Sequence, residues 1–113
     1  MKDIETYEDC LELIKKFYDK LLIDAEIGHF FQHLDLSHHI PNVADFWAFI
    51  LVDKPGYRNN MMGAHAKLDL HESDFKRWLF LFHETIGELF EGDKANLAIE
   101  RSKLIAWTMT SKY

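Results

Sequence analysis

The chain has 113 residues, of which 48% are hydrophobic and 28% charged, the balance of one globular domain with a single modest core. Its formal net charge of −6 argues against nucleic acid or an anionic membrane surface as the main partner, because both attract basic proteins. Cys10 is the only cysteine, so an intrachain disulfide is excluded and no oxidising compartment is required. The N-terminal stretch from Met1 to Thr6 lacks the apolar run of a signal peptide. The longest uninterrupted apolar run, Phe46 to Val52, has seven residues, against the ~20 that a membrane span needs. A soluble, cytoplasmic protein is expected.

Thr6-Tyr7-Glu8-Asp9 has the form of a helix N-terminal capping box, with Asp where Glu or Gln is usual. Cys10, Leu13, Ile14, Phe17, Tyr18, Leu21 and Leu22 then recur at three and four, one apolar stripe on a first helix. Gly28 ends or bends it. A second helix is predicted from Ser37 to about Asp53, with Ser37 as cap so that Pro41 falls where its missing N–H is tolerated. His39, Val43, Phe46, Trp47 and Ile50 share one of its faces, and Lys54-Pro55-Gly56 stops it.

Residues 55–71 read as irregular, with one helical turn around Met62 to Ala66. A third helix covers about Glu72 to Glu91, with Phe75, Trp78, Leu79, Phe82, Ile86, Leu89 and Phe90 inward. Gly92-Asp93 breaks it, and a fourth runs from about Lys94 to the end through Leu97, Leu104, Ile105 and Thr108. No segment alternates with period two, so the fold class is all-α with four main helices.

A loose segment of this length in so small a protein is usually functional or disordered. A ligand beneath it could complete the core, and the 14% aromatic content suits a flat apolar body such as haem, whose iron needs an axial imidazole. His65 stands in that segment. His71 competes with it, but Asp69 and Glu72 beside it suit an exposed helix start. Tyr18 lies in an apolar stripe, where a buried phenol needs a hydrogen-bond partner, although it could also reach its hydroxyl to the surface. A second reading is a non-haem metal bundle holding zinc or di-iron. Glu26-Ile27-Gly28-His29 has Glu-x-x-His spacing, and His29 and His33 are four apart. A third is a ligand-free helical interaction module with an exposed aromatic patch.

The ordered pieces Phe17-Tyr18, Ile27-Gly28-His29-Phe30-Phe31, Asp35-Leu36-Ser37-His38-His39-Ile40-Pro41 into Phe46-Trp47, Tyr57-Arg58-Asn59-Asn60-Met61-Met62-Gly63-Ala64-His65 and Phe75-Lys76-Arg77-Trp78-Leu79-Phe80-Leu81-Phe82 together resemble the group III truncated haemoglobins. The resemblance covers about Glu8 to Trp107 and implies a two-on-two helical globin fold carrying haem b, iron protoporphyrin IX. It implies His65 as the proximal iron ligand, with Phe31, Val43, Phe46, Trp47 and Met62 against the haem. Tyr18, His39 and Trp78 fall on the distal side, Tyr18 and Trp78 as hydrogen-bond donors and His39 as a gate to entry. His38, ~100° further around the helix, faces solvent. Arg58, Lys67 and Arg77 are candidate partners of the haem propionates.

The implied activity is O2 or NO binding at ferrous iron, with NO dioxygenation or peroxidase-like chemistry supported by an electron donor outside this chain. Three departures fall in loops or at a helix start. Asn59-Asn60-Met61-Met62 stands where the family commonly has Gly-Asn-Pro-Met, Leu36 replaces a common tryptophan, and Lys54-Pro55-Gly56 is an unusual connection.

Overall fold

The structure is a computed structural model that describes residues 1–55, 57 and 70–112, without the side chains of 111 and 112. The turn expected around Met62 to Ala66 lies outside the described residues. Among those described there are four long helices and no strand: α1 (Tyr7–Ile23), α2 (Leu36–Leu51), α3 (Glu72–Leu89) and α4 (Asp93–Lys112), with a 3₁₀ turn at Gly28–Phe30. The pair α1–α2 lies on the pair α3–α4, α1 against α3 and α2 against α4. No described helix is long and apolar enough to cross a membrane.

Each helix end has a local cause. The Thr6 hydroxyl accepts from Asp9 N–H at 3.1 Å, and the Asp9 carboxylate accepts from Thr6 N–H at 3.2 Å, which completes the capping box. At the far end of α1, the Asp24 carboxylate accepts from the N–H groups of Glu26 and Ile27, both at 3.1 Å, and turns the chain. Gly28 is required there, since a Cβ would come within 2.9 Å of the Leu21 carbonyl oxygen.

α2 starts earlier than expected: Asp35, not Ser37, is its cap and accepts from Ser37 N–H at 3.2 Å. Pro41 therefore lies inside the helix, in its second turn. α2 also ends earlier, at Leu51. Asp53 takes a left-handed φ of 57° and Lys54 N–H bonds back to the Ala48 carbonyl at 3.2 Å, a closure that Asp tolerates better than branched residues do.

The core centres on Phe17, 2% exposed, whose ring meets Phe82 edge-on at 4.9 Å and Trp78 at 5.7 Å. Trp47 reaches Phe82 from α2 at 5.0 Å. Cys10 is fully buried beside this cluster, and burial pushes its thiol up to about 12, the behaviour of a small hydrophobe.

On α3, Phe75, Phe82 and Ile86 are buried, and Trp78, Leu79 and Leu89 are partly exposed but pack against the core as expected. Leu81 and Thr85 also face inward, with the Thr85 hydroxyl donating to the Leu81 carbonyl at 2.7 Å. The inward face expected of α4 needs correction. On α4, Leu104 is exposed, and the buried face is Ala95, Ala98, Ser102, Ala106 and Met109. Small residues there allow close approach to α3, where His83 Nε2 lies 2.9 Å from Ser102 Oγ. The Ser102 hydroxyl donates to the Ile99 carbonyl, so it accepts from His83.

Candidate functional site

A cavity of about 340 Å³ opens between the two helix pairs. Its placement follows from α1. Phe17 points into the core, and Tyr18, one position round the helix, points to the cavity while remaining 5% exposed. The turn that Asp24 and Gly28 create brings Phe31 edge-on to the Tyr18 ring at 6.0 Å. From α2 come His39, Val43, Phe46 and Trp47, spaced at three and four so that one face supplies a wall. From α3 comes Trp78, stacked on Phe82 at 5.4 Å with the rings 15° from parallel, which fixes the indole plane at the cavity edge.

Thus Tyr18, Phe31, His39, Val43, Phe46, Trp47 and Trp78, all selected from the sequence, line a single cavity. His65 and Met62 lie outside the described residues, as do Arg58 and Lys67. Arg77, the remaining candidate for a propionate, does not line the cavity. Its guanidinium donates twice to Asp24, at 2.9 and 2.7 Å, and lies over the Phe80 ring at 5.3 Å, so it ties α3 to the end of α1. That bond, more than the backbone N–H groups of Ile27 and Glu26, holds the Asp24 carboxyl below its ordinary value despite burial.

The main polar feature of the cavity wall is a side-chain pair: Tyr18 Oη lies 2.5 Å from His39 Nε2. Burial pushes the Tyr18 phenol well above its ordinary value, so it keeps its proton and remains a donor. His38, one residue away on α2, is exposed and sits 3.7 Å from Asp35, as its helical phase requires.

Sequence reasoning missed part of the lining. Ala106 and Met109 of α4 close the cavity, and Asn42, Tyr57 and Asp74 add polar groups to it. Asn42 is three residues beyond His39, a helical spacing that could have indicated it. Nothing local marks Ala106.

The alternative metal constellations do not form. Glu26, His29 and His33 are exposed, on a 3₁₀ turn and the irregular chain around it and not on one helix face. Among the described residues no three His, Cys, Asp or Glu side chains gather to hold a metal ion. His71 is an exposed helix start, its N–H donating to Asp74 at 2.9 Å.

No family model matches the chain. It is 24% identical over 106 residues to the group 3 truncated hemoglobin of Campylobacter jejuni, a match spanning 88% of this chain and 84% of that protein. It is 31% identical over 74 residues to a group 1 truncated hemoglobin of Tetrahymena pyriformis, spanning 65% of this chain and 61% of that one. Among solved structures, the crystal structure of group III truncated hemoglobin from Campylobacter jejuni superposes with a TM-score of 0.88 at 24% identity, covering 99% of this chain and 94% of that chain.

Proposed function

Given that the chain has the two-on-two globin fold of truncated haemoglobins and resembles their group III, we propose that it binds haem b and uses it to hold O2 or NO. The observation that carries this is the cavity itself. Aromatic walls from three elements, Phe31, Phe46, Trp47 and Trp78, surround a space that meets one buried polar pair, Tyr18 and His39. These residues fit a flat apolar group: the walls offer area to a ring system, and the polar pair marks one side of it. His65 is assigned as the proximal iron ligand and Met62 as a haem contact, on the sequence resemblance.

When bound, haem supplies an iron that takes a diatomic ligand. The chain's own residues do the rest. Tyr18, protonated because burial disfavours the phenolate, donates toward the ligand once it turns from His39. Trp78 adds an indole N–H, which can only donate. Donors fixed in a water-poor cavity stabilise a ligand that has gained negative charge more than they would in water. Slow O2 release follows, which suits NO dioxygenation or a peroxidase-like step better than carriage. Such turnover requires an electron donor outside this chain.

The purified protein should be red, with a Soret band that shifts on adding CO to the reduced form. His65→Gly should lose that haem signature and recover it with free imidazole. A colourless protein, or unaltered spectra in His65→Gly, would sink the respective claim.

A further inference from the structure

We infer that Tyr18 also acts on His39, holding its imidazole so that it does not become the sixth ligand of ferric iron. The inference rests on the haem reading above and concerns which side chain commands the far side of the iron. His39 is the only imidazole among the described residues that line the cavity, and therefore the one described group there able to coordinate iron through nitrogen. Its Nε2, the nitrogen at the outer end of the ring, lies 2.5 Å from Tyr18 Oη. A phenol is the better donor and an imidazole nitrogen the better acceptor, so the Tyr18 O–H occupies the Nε2 lone pair. A lone pair that accepts a hydrogen bond is not free for a metal.

The geometry keeps the pair in place from both sides. Tyr18 is wedged edge-on between Phe17 at 5.7 Å and Phe31 at 6.0 Å, and its ring stands at 84° to the His39 ring with 5.1 Å between centroids. Phe17 in turn is locked against Phe82. Tyr18 is thus a positioning residue while no ligand is bound: packing fixes its ring, and its hydroxyl holds the imidazole until an arriving ligand draws the O–H away. An incoming diatomic ligand then meets a vacant iron position and not one taken by the protein's own histidine.

The test is the electronic spectrum and EPR of the ferric holoprotein. Tyr18→Phe removes one oxygen and keeps the ring. It should convert the ferric protein to a low-spin, bis-imidazole form and slow cyanide binding at least tenfold, because His39 must first leave. Adding His39→Gln to that variant should abolish the low-spin form. A Tyr18→Phe protein with the wild-type spin state and cyanide rate overturns the inference. So does a wild type that is already bis-histidine and refuses added imidazole, a measurement that needs no variant. Failure to bind haem at all would instead remove the functional reading, and this inference with it.

Discussion

The start of α1 and its cavity-facing stretch at Tyr18 are built on opposite principles. At the start of α1, the carboxylates of Asp9 and Asp3 are each saturated with donors. Asp9 accepts from the N–H groups of Glu5 and Thr6 and from Lys2 Nζ at 2.5 Å. Asp3 reaches across to accept from Ile4 N–H and from the N–H groups of Lys94 and Ala95 in the first turn of α4, between 2.8 and 2.9 Å. Glu91 N–H donates to the Lys2 carbonyl at 2.9 Å, so the N-terminal residues clip the α3–α4 corner. In its second half, Tyr18 faces a cavity of about 340 Å³ and shares one hydrogen bond with His39. The comparison teaches a division of labour: one corner is closed by polar bonds, and the other keeps an open cavity.

Variants should separate the two. The largest effect is expected where the two regions share a core: Phe17→Ala should cost about 3–5 kcal/mol in urea unfolding and also loosen Tyr18. An unaltered cyanide rate in that variant would break the proposed link between core packing and the distal pair. Next, Asp9→Ala leaves two backbone N–H groups without their acceptor. It should lower stability by roughly 1–3 kcal/mol while leaving the CO-bound spectrum unchanged. A shifted spectrum would show that the corners are coupled.

Acid should find the closed corner. Burial by itself would raise Asp3 and Asp9, but the bonds from Lys94, Ala95 and Ile4 to one, and from Lys2, Glu5 and Thr6 to the other, outweigh it and lower both. Their folded-state values lie below the ordinary 3.8. Their contribution to stability is therefore complete above that value and is lost as pH falls through the lowered ones. Thermal melts from pH 5 downward should show the loss, and Asp3→Asn with Asp9→Asn should flatten it. An equal slope in that double variant would remove both groups from the account. Asp3→Ala alone should cost about 1 kcal/mol, as the loss of a helix cap does.

A similarly small stability effect belongs to the cavity side. Tyr18→Phe should change unfolding free energy by no more than about 1.5 kcal/mol, yet raise the O2 dissociation rate roughly tenfold or more, the size of a charge-assisted hydrogen bond. A large stability loss with unchanged O2 release would reverse the assignment of this side.

Features that depend on near neighbours were legible along the chain. Thr6 and Asp9 are three residues apart, so the capping box is written locally. The opposite fates of His38 and His39 follow from helical phase alone. The grouping of His39, Val43, Phe46 and Trp47 on one wall follows from the same spacing. Where a local signal is weak or has rivals, the sequence misled: Asp35 and Ser37 are both good caps, and Asp35 won. On α4, Leu104 outweighs Ala98, Ser102 and Ala106 in hydropathy, yet the small residues face α3 because they admit its closer approach.

What the sequence by itself determined is the helical period, the starts of α1 and α3 and the inward stripes of α1 and α2, because these rest on contacts within one or two turns. Tertiary structure alone decided three things. It drew Arg77 to Asp24, 53 residues away, instead of to the cavity. It brought Asp3 to the first turn of α4. And it placed the Tyr18 hydroxyl on the imidazole of His39, 21 residues on. Each joins groups whose separation in the chain carries no periodic signal, and each needs the crossing of helices to bring donor and acceptor within bonding distance.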